Sequence, residues 1–293
     1  MAIRLGRIGV WSRELRFHED RAAAADAARE LEDLGYGAAW IPDVGGPVLE
    51  ACDELLAATE SIAVATGIVN IWMHEADYVA SGRARLERDH PGRFALGLGA
   101  SHAPVVDANS PGRYAKPYSA MRAYLEELDM VEPCVPAAER ILAALGPRMM
   151  ELSRDRAAGA HPYLVTVEQT AAAREVLGPD RVLAPELSVV LDPDRERGLA
   201  AAREHLAGYL TLPNYTANFK RAGFEESDLA DGGSDRLIEA IVAIGDEESV
   251  ARRVGEHLAA GADHVCVQVV HPGGDEYLAR PEWRRLAPGL LAL

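Results

Sequence analysis

Short apolar runs dominated by Val, Ile, Leu and Ala recur along the chain. Each is followed by a longer stretch in which apolar residues return at helical spacing among Ala, Glu and Arg. A brief apolar run bounded by turn residues reads as a strand buried on both faces, and its alternation with amphipathic helices reads as the βα unit of a parallel sheet. Eight strands are predicted in this way: RIGVW (7–11), AAWIP (38–42), IAVATGIV (62–69), FALGLG (94–99), ILAAL (141–145), PYLVT (162–166), LSVVL (187–191) and HVCVQVV (264–270). Helices are predicted from about Glu19 to Leu34, Pro47 to Thr59, Ala76 to Asp89, Pro117 to Val131, Pro147 to Ala157, Val167 to Leu177, Pro193 to Tyr209 and Trp283 to Leu291. Pro47, Pro117, Pro147 and Pro193 suit a first helical turn, where the missing N–H costs nothing, and Gly35, Gly178 and Gly261 suit helix ends.

Eight alternations favour a closed (β/α)8 TIM barrel, an α/β fold, over an open doubly wound sheet. One segment breaks the rhythm. Leu210 to Gly233 (210–233) is poor in regular pattern and reads as an irregular excursion between strand seven and strand eight, followed by one more helix from about Glu247 to Ala260. No repeat or linker divides the chain, so residues 1–293 are expected to form a single domain.

Composition narrows the function classes. With 293 residues, 48% hydrophobic and 26% charged, the chain is neither disordered nor fibrous and can bury a large core. Its 46 acidic against 30 basic residues give a net charge of −16, which argues against nucleic acid as a partner. Cys52, Cys134 and Cys266 are scattered and odd in number, so neither a disulfide framework nor a cysteine metal site is indicated. HEADY at 74–78 is not HExxH, and no metal is expected. Without a signal-like run or an apolar stretch of membrane length, a cytoplasmic location with no membrane partner is expected.

In such a barrel the βα loops converge at the C-terminal ends of the strands, so the candidate chemistry is sought there. His102 closes FALGLGASH, where Gly97 and Gly99 permit close backbone approach. Its imidazole can exchange a proton near neutral pH, or simply bond a loop carbonyl. GLGASH lacks the third glycine of a dinucleotide fingerprint. In AALGPRMM, Gly146 and Pro147 stand where strand passes into helix, leaving amide donors and a positive dipole end suited to phosphate, with Arg148 either adding charge or lying solvated. Asp43 can orient a ring N–H or a substrate hydroxyl, or cap the turn before Gly45 and Gly46. Trp11, Trp72 and Tyr114, with Met73, can line a flat pocket or pack as core. Arg83, Arg85, Arg88 and Arg93 read as a solvated basic face.

The ordered set TGIVNIW, DHPGRFALGLGASH, AALGPRMMELSRDRAAGAHPYLVT and IGDEESVARRVGEHLAAGADHV resembles the bacterial-luciferase-like superfamily of flavin and deazaflavin oxidoreductases. Within it the sequence is most similar to the coenzyme F420-dependent oxidoreductases, and the resemblance extends over nearly the whole chain. It implies a ring seated at the strand mouths against a bulge after strand three, here Thr66, Gly67 and Ile68, with a non-prolyl cis peptide between Gly67 and Ile68. By the same transfer Asp43 would contact the ring, and the cofactor phosphate would lie near Ala144, Gly146, Pro147 and Thr166. Two positions depart from the pattern: His102 falls where related deazaflavin enzymes carry an acidic group, and Leu145 where many relatives have glycine.

The implied reaction is hydride transfer between C5 of F420 and a small organic substrate, His102 handling a proton with possible help from His74. The alternatives are an FMN-dependent luciferase-like monooxygenase fed by a separate flavin reductase, and a non-catalytic ligand-binding or assembly barrel. The resemblance also implies a homodimer.

Overall fold

A computed structural model describes residues 4–109, 111–271 and 277–293. Its strands are β1 (Ile8–Trp11), β2 (Ala38–Ile41), β3 (Ala63–Thr66), β4 (Val69–Asn70), β5 (Phe94–Gly99), β6 (Arg140–Leu142), β7 (Gly159–Ala160), β8 (Val182–Leu183), β9 (Glu186–Val190), β10 (Val242–Ile244) and β11 (Val265–Val269). Their order is β10-β9-β11-β1-β2-β3-β5-β6-β7-β8, with β4 beside the end of β5. Neighbours among the described residues pair in parallel, as βα crossovers require. The path closes on itself because only Ala184 and Pro185 separate β8 from β9. The amides of Val182, Ala184 and Glu186 donate to the carbonyls of Ala158, Ala160 and Pro162, so β8 and β9 act as one stave between β7 and β11. The predicted (β/α)8 TIM barrel is thus the observed architecture, with β4 and β10 as short additions.

Alternation along each strand sorts small residues inward and branched ones outward. In β2 and β3, Ala38, Trp40, Ala63 and Ala65 belong to the interior cluster, whereas Ala39, Ile41 and Val64 pack in the larger core that includes residues of the surrounding helices. Alanine and glycine are tolerated inside because Trp40 fills the space. Its Nε1 donates to His264 Nε2 at 3.0 Å, and its ring stacks on His161 with centroids 4.3 Å apart and planes 14° from parallel. A Cβ at Gly9 would lie 2.7 Å from His264, so β1 needs glycine opposite that imidazole. The bottom of the barrel is therefore a packed Trp–His layer on which the site above rests.

The structure departs from the sequence expectation in three places. PYLVT (162–166) is not a strand: the stave is Gly159–Ala160, and the chain then leaves the sheet, with Leu164 at φ 52° and Thr166 capping helix Val167–Leu177. Gly159 hid this stave from the hydrophobic pattern, because a Cβ there would meet the Val182 carbonyl oxygen at 1.9 Å and only glycine fits. The fifth strand ends at Leu142, so Ala143, Ala144 and Leu145 form a loop at the barrel mouth. Segment 210–233 is not irregular: after helix Arg195–Leu206 it holds a short turn at Tyr209–Thr211 and helices Pro213–Arg221 and Glu226–Leu229, with Asp235–Ile241 beyond. Asp194 and Ser234 start two of these helices by accepting amide protons with their side chains. Leu199, Leu206, Phe219, Leu237, Ile238 and Ile241 give the excursion its own apolar core, tied to the barrel through Leu164 and Val190. No helix among the described residues is long and apolar enough to cross a membrane.

Candidate active site

A cavity of 840 Å³ opens at the C-terminal ends of the strands. One wall comes from the strand mouths and includes Trp11, Gly67, Ile68, Ser101, His102, Ala144 and Gly146. The opposite wall comes from the excursion and includes His205, Tyr209, Asn214 and Tyr215, while Tyr163 and Gln268 rise between them.

The bulge after β3 forms the floor. The peptide between Gly67 and Ile68 is cis. Trp11 Nε1 donates to the Gly67 carbonyl at 3.2 Å, and a Cβ at Gly67 would sit 2.6 Å from that nitrogen. Ile68 turns into β5, where Gly97 and Gly99 make room: a Cβ at Gly99 would meet the Ile68 side chain at 2.5 Å. Thr66 faces away from the cavity, because alternation places it with Val64. Its hydroxyl donates to Gly97 O and accepts from Gly97 N, both at 2.9 Å, which fixes β3 to β5.

Asp43 borders the cavity, but its carboxylate is committed elsewhere. Oδ1 accepts from Gly45 N at 2.9 Å and Arg16 Nη1 at 3.2 Å; Oδ2 accepts from Asn70 N and pairs with His74 Nε2, each at 2.9 Å. These contacts use the lone pairs a carboxylate offers, and the side chain is 0% exposed. Burial would raise its pKa, but His74, the Asn70 and Gly45 amides and the His74 charge together hold it below the usual range. The Asp43 carboxylate, expected to contact the ring, commits its hydrogen bonds to joining the β2 and β3 loops through buried Arg16. His74 is spent in the same network, stacked on Tyr78 with centroids 5.1 Å apart, and does not line the cavity.

His102 stands at the rim beside Tyr215, centroids 5.2 Å apart, with its Nδ1 buried and unpartnered. Burial pulls its pKa below the ordinary value against a hydrogen bond with the Asn214 side chain, so the neutral base prevails near pH 7. Of the aromatic candidates, Trp11 and Tyr114 line the cavity. Trp72 lies behind Tyr114 and donates to Ala100 O at 2.7 Å.

At the proposed phosphate end, Ala144 and Gly146 border the cavity, and Gly146 precedes helix Pro147–Arg156 without a side-chain cap. Pro147 supplies the helix start but does not line the cavity. Arg148 turns away, its guanidinium 4.1 Å above the Tyr118 ring, and Thr166 is consumed in a capping box with Gln169. Arg221 comes near this end: its Nη2, which donates to Asn218 Oδ1 at 3.1 Å, would be 3.7 Å from a Cβ on Gly146. No sequence signal could assign it, because Arg221 arrives on the excursion helix Pro213–Arg221, far along the chain from Gly146.

Also unforeseen are His161 at the floor and a polar cluster on the far wall. Tyr163 donates to Gln268 Oε1 at 2.7 Å and meets Tyr209 OH at 2.9 Å. Behind it Glu186 is 0% exposed, accepting from Ser188 Oγ at 2.8 Å and from Leu164 N at 3.2 Å. Burial pushes its pKa up to about 8 despite those two donors. Ser188 Oγ lies 3.3 Å from His205 Nε2, so the buried carboxyl communicates with the cavity wall.

A flat ring with an anionic tail fits this arrangement. Gly67 leaves no Cβ in the floor, a buried imidazole nitrogen there awaits a donor, and a helix start with a nearby guanidinium marks one edge. Among the described residues no three His, Cys, Asp or Glu side chains gather as a metal would need.

The fold and the first part of the sequence are similar to luciferase-like proteins. Residues 5–132 match the family model described as luciferase-like monooxygenase. An F420-dependent secondary alcohol dehydrogenase, solved with an F420–acetone adduct, superposes with a TM-score of 0.70 at 16% identity, covering 99% of each chain. The coenzyme F420-dependent tetrahydromethanopterin reductase of Methanopyrus kandleri gives 0.69 at 16% identity, over 100% of this chain and 99% of that one. The oxygenating constituent of 3,6-diketocamphane monooxygenase from Pseudomonas putida, a type II Baeyer–Villiger enzyme with FMN, gives 0.67 at 12% identity over 96% of each. No curated protein matches the sequence significantly.

Proposed function

We propose that the protein is an F420-dependent oxidoreductase acting on a small organic substrate with a hydroxyl or carbonyl group. Trp11, the Gly67–Ile68 floor and Ala144 would hold the ring; Gly146 and Arg221 would hold its anionic tail. The deazaflavin supplies a hydride-accepting and hydride-donating carbon. The chain's own residues bind, orient and manage the proton.

His102 carries this reading. His102 lines the cavity as a neutral imidazole and would take the hydroxyl proton as the substrate carbon gives up hydride, and return it in the reverse direction. Tyr215 fixes one face of the imidazole, and Asn214 engages it from the excursion. Tyr163, Tyr209 and Gln268 would frame the substrate opposite. The test is turnover of F420, followed by its absorbance, across a panel of secondary alcohols and carbonyl compounds. His102→Ala is expected to lower turnover by about 10²–10⁴-fold; undiminished turnover would remove the role assigned to His102.

An FMN-dependent monooxygenase is the second reading, favoured by the superposition on an FMN enzyme of the same fold. Oxygen consumption with reduced FMN, and none of the F420 reaction, would select it.

A further inference from the structure

The cavity floor contains a polar atom that the fold leaves without a partner. His161 is 2% exposed, and its Nδ1 lies 2.7 Å from the Ala184 carbonyl oxygen. A carbonyl only accepts, so Nδ1 carries the proton and Nε2 is left as a bare lone pair. The ring cannot turn to find a donor without giving up that bond and its stack on Trp40, which is itself anchored to His264. Burial presses the His161 pKa down to about 4, so the neutral tautomer holds across the physiological range.

Nε2 makes no hydrogen bond, His161 lines the cavity, and a Cβ on Gly67 would lie 3.4 Å from that nitrogen. His257 Nε2 is similarly isolated but lies away from the cavity, on a helix whose packing explains its burial. A buried acceptor without a donor costs stability, and a ligand group that supplies the donor recovers it. The surroundings specify the shape of that group. Gly67 lets Trp11 close against the floor, Trp11 and Tyr163 stand with centroids 5.9 Å apart, and Trp11 has already given its N–H to Gly67 O. What fits is the edge of a plate carrying an N–H.

We propose that His161 is a ligand-binding residue whose Nε2 accepts a hydrogen bond from the imide N–H of a flat heteroaromatic ring seated at the cavity floor. This rests on the reading that the cavity takes a flavin-type ring. Flavin and deazaflavin both carry such an imide, so His161 recognises the shared ring edge and does not choose between them.

The experiment titrates the full chain, labelled with ¹⁵N-histidine, with FMN and in a separate arm with F420. N3-methyl-FMN serves as the probe with that N–H blocked. Expected are a shift of the His161 Nε2 resonance towards the hydrogen-bonded position with Nδ1 little changed, and binding of the methylated ring weaker by about tenfold or more. His161→Asn, whose amide can still donate to Ala184 O, should bind the unmethylated cofactor about tenfold or more weakly and lose the distinction. A bound cofactor with Nε2 unmoved, or equal affinity for methylated and unmethylated FMN, overturns the inference alone. Failure of both cofactors to bind overturns the cofactor reading and this inference with it.

Discussion

The two walls of the cavity are made by different means. On the strand side, polar groups are locked into the barrel: Asp43 accepts four hydrogen bonds, and Thr66 both donates to and accepts from Gly97. On the excursion side, His205 and Tyr209 are only half-buried and reach the cavity from helices with a separate core. A wall whose scaffold is fixed by Asp43 and Thr66 suits a cofactor that never changes, whereas a wall of rings and hydroxyls on a secondary core can be revised without disturbing the barrel. On the proposed function the ring falls to the strand side and substrate choice to the excursion side, apart from Arg221, which the excursion lends to the anionic tail.

The largest expected effect tests how dry the buried imidazoles are. Burial pushes His161, His257 and His264 each down to about 4 from an ordinary 6.5. Between those values the unfolded chain binds more protons, so their contribution is complete above pH 6.5 and is lost as pH falls through 4, up to about 3 kcal/mol for each imidazole. Glu186, raised from 4.5 to about 8, acts oppositely: its contribution is complete below 4.5 and lost as pH rises through 8. Stability should therefore peak near pH 6.5 in urea titrations, falling steeply on the acid side and gently on the alkaline side. A flat profile between pH 7 and 4.5 would contradict the buried neutral imidazoles.

Asp43→Ala breaks the strand-side wall directly. It leaves Arg16 buried with only carbonyl partners, and the expected loss is about 3–5 kcal/mol by urea unfolding. A loss below ~1 kcal/mol would mean the network is not the scaffold described. Gly67→Ala is milder. The new methyl meets Trp11 and should cost about 1–3 kcal/mol while weakening cofactor uptake, with substrate preference unaltered. Tyr209→Phe on the other wall is expected to cost no more than ~1 kcal/mol and to change relative KM across the substrate panel while cofactor affinity stays put. Were cofactor affinity to fall instead, the division between the walls would be wrong.

Much of the strand side was legible in the sequence. Apolar periodicity located most staves, and Ala76–Asp89 and Val167–Leu177 coincide with the helices predicted there. The bulge at Gly67 and Ile68 came from resemblance. What stayed hidden had physical reasons. Gly159–Ala160 is a stave whose close packing forbids the branched residues that betray a strand, and Val242–Ile244 is three residues long. Asp43 and His74 were recognised as polar residues at strand ends, but sequence cannot show that each had already found the other. His161 and Arg221 act through neighbours distant in the chain, on β2 and at the start of helix Pro147–Arg156, a juxtaposition that periodicity does not carry.

The central claim is that the strand-side wall receives a planar redox ring with its anionic tail at Gly146 and Arg221. Calorimetric titration of the folded protein with F420, and in parallel with FMN, measures it most directly. The account predicts saturable uptake of F420, one molecule per chain, weakened when Arg221 is replaced by Ala; folded protein that takes up neither cofactor would contradict it.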